Sequence, residues 1–428
     1  MKTEARIQST IELIDIILST PSVPADSIVN TYFRERRFIG SGDRRFVSEF
    51  TYQILRQFPK LQWFWPDINA RKAALIYLTI NEKESLKKIE QIFSGDQFSP
   101  SPLTHEEKEY LKNINHLPQP PKWAALSVSE WLFPYFEKSL NTDLDRELNA
   151  LNEQAPLDLR VNTFKQTRQA VLKQLTQEGL DPKPTALSPV GIRLSQRLPL
   201  PSHPLWKDGT LEVQDEGSQL IALLCNAKPG MAILDYCAGA GGKSLVLAET
   251  MQNKGRLVLS DIHSWRLKRA KERLKRAGIH NHEVRLIEEK EWFKRQEGRF
   301  DCVLVDAPCS GTGTWRRNPD MKIRFSKKDL DELIDKQQEI LNAASKLVKS
   351  GGLLIYSTCS LLREENHEQI EKFAQQKTSF NLVPIQEVWQ NSIKNCPCPT
   401  KESMLQLTPA VHQTDGFFIA VLRYDNLG

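Results

Sequence analysis

The sequence predicts an α/β protein: a mostly parallel sheet with helices on both faces, preceded by a small α/β unit and an all-α N-terminal region. Three observations carry this. Beyond Gly230, apolar runs of strand length alternate with helical patterns, which implies a parallel sheet covered on both sides. Over residues 7–115 apolar residues recur at three and four positions with little strand signal. Between these parts, alternating runs at 157–161 and 192–194 flank a helical stretch, the pattern of a small mixed unit.

In the first region Ile11, Leu13, Ile16 and Ile17, then Phe46, Phe50, Ile54 and Leu55, mark helix faces. The stretch Leu117-Pro118-Gln119-Pro120-Pro121 cannot continue a helix, because proline lacks a donor and extends the residue before it. It is the expected linker, so the domains read as 1–122, 123–228 and 229–428. The middle part opens with helices over 123–152 and continues with a strand at Leu157-Asp158-Leu159-Arg160-Val161 and a helix over 167–178. In the last part, strands are expected at 232–236, 257–260, 283–287, 302–306 and 353–357. Between the second and third of these, Leu267, Ala270, Leu274 and Ala277 keep helical spacing. Arg266, Lys268, Arg269, Lys271, Arg273, Lys275 and Arg276 make the outer face of that helix basic, and it reads either as solvated surface or as phosphate contact.

A chain of 428 residues exceeds one ordinary domain of about 100–200 residues. No apolar run approaches the roughly 18 residues of a membrane helix. Charges at Lys2, Glu4, Arg6, Glu12 and Asp15 interrupt what would be a secretory signal. A cytoplasmic monomer is expected. The seven cysteines cannot all pair internally, which favours a reducing compartment. A net charge of +5 alone barely favours a nucleic-acid partner.

In sheets of this kind ligands bind beyond the carboxyl ends of the strands. Chemically distinctive residues stand there: Asp235 and a glycine loop after the first strand, Asp261 after the second, Asp306 and Cys309 after the fourth, Thr358 and Cys359 after the fifth. The loop Cys237-Ala238-Gly239-Ala240-Gly241-Gly242-Lys243 is built of small residues and opens a helix, so a ligand can approach its backbone N–H groups. It matches neither a Walker loop nor the dinucleotide fingerprint. An acid at the position of Asp261 accepts hydrogen bonds from ribose hydroxyls or caps the following helix, with Ser264 a competitor for the cap. With the loop it suggests an adenosine-bearing cofactor.

Cys309, in Asp306-Ala307-Pro308-Cys309-Ser310-Gly311-Thr312-Gly313, and Cys359, in Ser357-Thr358-Cys359-Ser360, follow adjacent strands. Neither belongs to a C-x-x-C pair, no histidine completes a ligand set, and Cys396 and Cys398 are poorly spaced for a metal, so none is expected. Cys225, Cys237 and Cys302 read as small buried hydrophobes.

These motifs, with Val213-Gln214-Asp215-Glu216-Gly217-Ser218-Gln219 upstream and Gly416-Phe417-Phe418-Ile419-Ala420 downstream, resemble the Sun (RsmB) family of RNA cytosine-5 methyltransferases over residues 155–425. The resemblance implies a Rossmann-like class I methyltransferase domain, S-adenosyl-L-methionine as cofactor and RNA as partner, with small-subunit (16S) ribosomal RNA favoured over transfer RNA. It departs from the family twice. Gly239-Ala240 replaces the usual Ala-Pro. After the third strand, Glu288, Glu289 and Glu291 stand where an aspartate near the adenine is usual, with Glu288 the candidate. The N-terminal Gly42-Asp43-Arg44-Arg45 and the stretch 50–56 are similar to a NusB-like RNA-binding domain.

Carbon 5 of cytosine is a poor nucleophile, and covalent addition of a thiolate to carbon 6 activates it. The residues alone offer two candidates, Cys309 and Cys359. The resemblance implies that Cys359 attacks, that Cys309 assists product release and that Asp306 lies near the base and the cofactor. The target must be unpaired or flipped out. Arg316, Arg317, Lys322 and Arg324 are candidates for holding its backbone, and Trp315 for stacking or packing. An inactive fold serving as an RNA-binding assembly factor is the competing class, and intact cysteines and acids argue against it.

Overall fold

The computed structural model describes residues 1–195 and 198–425. Two compact units emerge, Met1–Gln154 with Thr314–Lys327, and Ala155–Gly313 with Lys328–Gly428. The division between these two units falls near residue 154. The helices expected after residue 122 go with the N-terminal part, and a piece of the third expected domain joins them.

The first unit is helical. Its long elements are Thr3–Ser19, Ala25–Glu35, Ser41–Phe64 and Ala70–Ile80; Ile7, Ile14, Phe50, Ile54 and Leu75 form one core, and Ile28, Val29 and Phe33 of the second helix pack with Leu13, Ile17, Val47 and Leu55 in another. Helix ends are fixed by side chains: Asn69 accepts from the Lys72 N–H, and Thr104 and Glu107 form a reciprocal capping box. The residues of Thr314–Lys327 are built into this unit. Trp315 is buried against Phe136 in an edge contact at 5.4 Å, and Asp320 accepts from the Ala25 N–H at 3.2 Å.

The second unit holds two sheets. The smaller comprises β1 (Leu157–Val161), β2 (Pro182–Pro184), β3 (Gly191–Leu194) and β4 (Leu211–Val213), antiparallel in the order β2-β3-β1-β4. The larger comprises β5 (Ala232–Asp235), β6 (Arg256–Asp261), β7 (His282–Leu286), β8 (Phe300–Asp306), β9 (Val348–Thr358), β10 (Phe380–Leu382), β11 (Leu405–Leu407) and β12 (Phe417–Tyr424). Its order is β10-β12-β9-β8-β5-β6-β7, with β11 also paired to β12. From β9 to β7 every pairing is parallel, and β12 runs antiparallel to β9.

Alternation along the strands divides the core into two layers, as a two-faced sheet requires. Ile233, Leu257, Leu259, Leu304 and Ile355 pack on one side with the helices Glu216–Leu224, Gly242–Thr250 and Ser264–Ala277. Leu234, Val258, Val303, Val305 and Tyr356 pack on the other with Lys327–Ser345 and His367–Gln376. β5 has β6 on one side and β8 on the other, so consecutive crossovers diverge there and leave a crevice at the strand ends. Among the described residues no helix is long and apolar enough to cross a membrane, and no group of three metal-binding side chains is found.

Candidate active site

The chain leaves β5 at Asp235, turns through residues 236–241 and enters the helix Gly242–Thr250 with Gly241 as its N-cap. Gly239 and Gly241 have φ of +54° and +77°, a region that side chains disfavour. A Cβ on Gly241 would lie 3.0 Å from that of Ala270, whereas Gly239 faces open space. The turn is thus a cradle of small residues at the strand ends, which Cys237 and Ala238 open. Asp261, at the end of β6, accepts from the Gly239 N–H at 3.0 Å and from the His263 N–H at 2.8 Å. It ties the second strand to the loop, and neither Asp261 nor Ser264 is the N-cap of the next helix, a position held by His263. Asp235 accepts from the Ser244 hydroxyl at 2.6 Å while its second oxygen is buried without a partner. Burial pushes its carboxyl up to about 7. The cradle, the free oxygen of Asp235 and the acid at Asp261 suit an adenosine-bearing sulfonium. Past β7, Glu288 is exposed, whereas Glu289 is engaged by the Leu286 N–H and by Arg285.

β8 and β9 are neighbours, so the loops after them meet. Cys309 Sγ and Cys359 Sγ lie 3.4 Å apart. Contact with Cys359, followed by burial, pushes the Cys309 thiol well above its ordinary pKa. Asp306 accepts from the Ser357 hydroxyl at 3.1 Å and from the Lys243 ammonium at 2.6 Å. Burial works against the charge on Lys243, but the Asp306 carboxylate outweighs it and holds the pKa above the usual lysine range, with Cys359 adding to the effect. Ammonium, carboxylate and two sulfurs thus form one cluster at the ends of β8 and β9.

The loops are held from behind by Glu365. Its carboxylate accepts from the Ser310 N–H at 2.8 Å, from the Gln337 amide at 3.0 Å and from the Ser310 and Ser360 hydroxyls. Asn366 donates to the Ser360 carbonyl at 2.9 Å and accepts from the Thr358 hydroxyl at 2.5 Å. Both residues are fully buried, and neither stands out in the sequence.

A family model described as 16S rRNA methyltransferase RsmB/F matches residues 222–423, and a RsmF/B-like ferredoxin-like domain model matches residues 128–201. The probable ribosomal RNA small subunit methyltransferase B of Synechocystis is 35% identical over 302 residues, 69% of this chain and 67% of that one. The ribosomal RNA small subunit methyltransferase B of Photorhabdus laumondii is 30% identical over 413 residues, 89% and 90% of the two chains. The chain belongs to the RsmB/F methyltransferase family. A methyltransferase homolog from Pyrococcus horikoshii shares the fold, with a TM-score of 0.60 at 27% identity over 71% of this chain and 97% of that one. As an RsmB/F protein it is an RNA methyltransferase that uses S-adenosylmethionine.

The expected RNA contacts are placed differently from the cysteines. Arg316 and Lys322 are buried in the helical unit, and Arg317 and Arg324 are half-buried there. Lys322 donates to the carbonyls of Arg56 at 3.3 Å and Ser127 at 3.2 Å and to the Asn152 side chain. Burial, reinforced by Arg56, pulls its pKa down to about 7. Arg324 donates to the Val23 carbonyl and pairs with Asp320 at 3.4 Å. Trp315 packs in the core. In this RsmB/F chain a run that looks like a basic surface is a set of internal ties, and for Arg316 and Lys322 burial corrects the expectation of phosphate contact.

Proposed function

We propose that the protein methylates carbon 5 of a cytosine in 16S ribosomal RNA through a covalent adduct between Cys359 and carbon 6. The observation that carries this reading is the pair of sulfurs at 3.4 Å beside the Lys243–Asp306 ion pair. A single sulfur would suit a buried core residue; two, aimed from adjacent strand ends with a cation next to them, suit addition and release. Names of relatives such as the Photorhabdus laumondii enzyme support the ribosomal substrate, and a cytoplasmic address follows from that substrate.

In this mechanism Cys359 attacks as the thiolate, the nucleophilic form of a cysteine. Its sulfur bonds to carbon 6, and the electron pair of the ring double bond moves to make carbon 5 nucleophilic. Bound in the cradle, S-adenosylmethionine supplies an electrophilic methyl group. Once carbon 5 carries that methyl, loss of its proton restores the double bond and expels the thiolate. Cys309, whose sulfur lies 3.4 Å from that of Cys359, assists this release, with solvent as the acceptor of the carbon 5 proton. Asp306 keeps Lys243 in place and presents its carboxylate to the amino edge of the base.

Mapping of 5-methylcytosine by bisulfite sequencing, in a strain lacking the gene and in the complemented strain, tests the assignment. Loss of one methylated 16S position, restored by the wild-type gene, is expected. Loss confined to transfer RNA would move the substrate, and no loss in any RNA would overturn the activity.

A further inference from the structure

The cradle after β5 is conformationally weak by composition. Ala240 sits between two glycines of positive φ, and Gly242 follows. Ordering such a stretch costs conformational entropy, most at glycine, so something outside the loop must hold it. Arg273 does so: its guanidinium donates to the Ala240 carbonyl at 2.8 Å. Its other nitrogen donates to Glu212 at 3.1 Å, and Arg276 donates to the second oxygen of the same carboxylate. Glu212 lies on β4, in the small antiparallel sheet, and is fully buried. One residue further along the chain from β4, Gln214 donates to the Gly242 carbonyl at 3.2 Å. A planar guanidinium that bridges a carboxylate and a carbonyl has little freedom to turn.

We propose that Glu212 and Arg273 are positioning residues for S-adenosylmethionine, through which the small sheet sets the shape of the cofactor loop. The proposal rests on residues 237–243 being the cofactor site. It gives the small antiparallel sheet a role in cofactor affinity, and two of the seven basic residues of the helix a task other than contacting RNA. It also explains how Ala240 is tolerated where related proteins carry proline: the clamp supplies from outside the restraint that a proline ring supplies from within.

The test compares Arg273→Met, Glu212→Gln and the double variant Arg273→Met/Ala240→Pro in the full chain, reading cofactor affinity by calorimetry and separate KM values for cofactor and RNA. Arg273→Met should raise Kd and KM for S-adenosylmethionine about tenfold, the scale of one charge-assisted hydrogen bond, with KM for RNA and kcat at saturating cofactor within about twofold. Glu212→Gln should shift the same constants in the same direction. Adding Ala240→Pro should recover most of the lost affinity, which a merely destabilised fold would not do. An unchanged Kd in Arg273→Met overturns the proposal, as does a loss shared equally by RNA and cofactor, or one that Ala240→Pro leaves untouched. Asp261→Ala separates this from a failure of the site itself: if it too leaves Kd unchanged, the loop is not the cofactor site.

Discussion

Cys309 and Cys359 stand 50 residues apart in the chain, yet their sulfurs are 3.4 Å apart. That separation is short enough for both to act on one six-membered ring. If Cys359 adds to carbon 6, Cys359→Ala forms no covalent link to RNA, whereas Cys309→Ala forms the link and releases it slowly. With substrate RNA and cofactor, Cys309→Ala should give a protein–RNA band that survives denaturing electrophoresis, and Cys359→Ala none. The opposite pattern would exchange the two roles.

Glu365 fixes the distance between those sulfurs by gripping Ser310 and Ser360, the residues next to each cysteine. Glu365→Gln puts an amide among donors that need an acceptor. It should lower kcat up to about a hundredfold, the scale of a misplaced reacting group, while KM for S-adenosylmethionine stays unchanged. A cofactor KM that rises in step with the loss of kcat would show that the carboxylate supports the whole pocket rather than the cysteine loops.

Asp261→Ala removes the acceptor of the Gly239 and His263 N–H groups together with the acid at the second strand end. Calorimetry should show S-adenosylmethionine affinity falling at least about tenfold, or about 1.4 kcal/mol. Far-ultraviolet circular dichroism should stay that of the wild type.

Lys322 should matter for stability and not for RNA contact. Its pKa is about 7 in the folded protein against an ordinary 10.5, so between these values the unfolded chain holds a proton that the folded protein lacks. Stability therefore rises with pH across that window, and the burial penalty is complete below about 7. Lys322→Met should flatten this rise in denaturant titrations at pH 7–10 and leave the salt dependence of RNA binding unaltered. A reduced salt slope would return Lys322 to the RNA-contacting residues.

What the sequence reveals depends on how far each feature reaches. Strands β5, β6 and β8 are buried on both faces, so their apolar runs announce them, and β1 is found at the residues where alternation places it. β2, β4, β10 and β11 have three residues each, too few to show a period. The cradle and the cysteines are legible because small residues and thiols are chemically unusual at strand ends. Glu365 is not: beside Arg363 and Glu364 it resembles a solvated turn, and only its burial under both loops reveals its use. The cations of residues 316–324 mislead for a related reason. Lys322 meets Asn152 across 170 residues and Arg324 meets Val23 across 301, partners that no local pattern announces.

The union of Thr314–Lys327 with Met1–Gln154 has a consequence for biosynthesis. The two buried cores of the N-terminal unit lie within residues 7–114 and can close first on the ribosome, but the unit is not complete then. After Gln154 emerges, about 160 residues must be translated before the last segment of the unit appears, a wait of roughly 8–30 s at ordinary elongation rates. Until then the carbonyls of Arg56 and Ser127 lack the ammonium that later caps them, and Phe136 lacks the Trp315 ring. The order of synthesis also acts as a safeguard, since any molecule displaying a finished N-terminal unit has already made the cradle and Cys309.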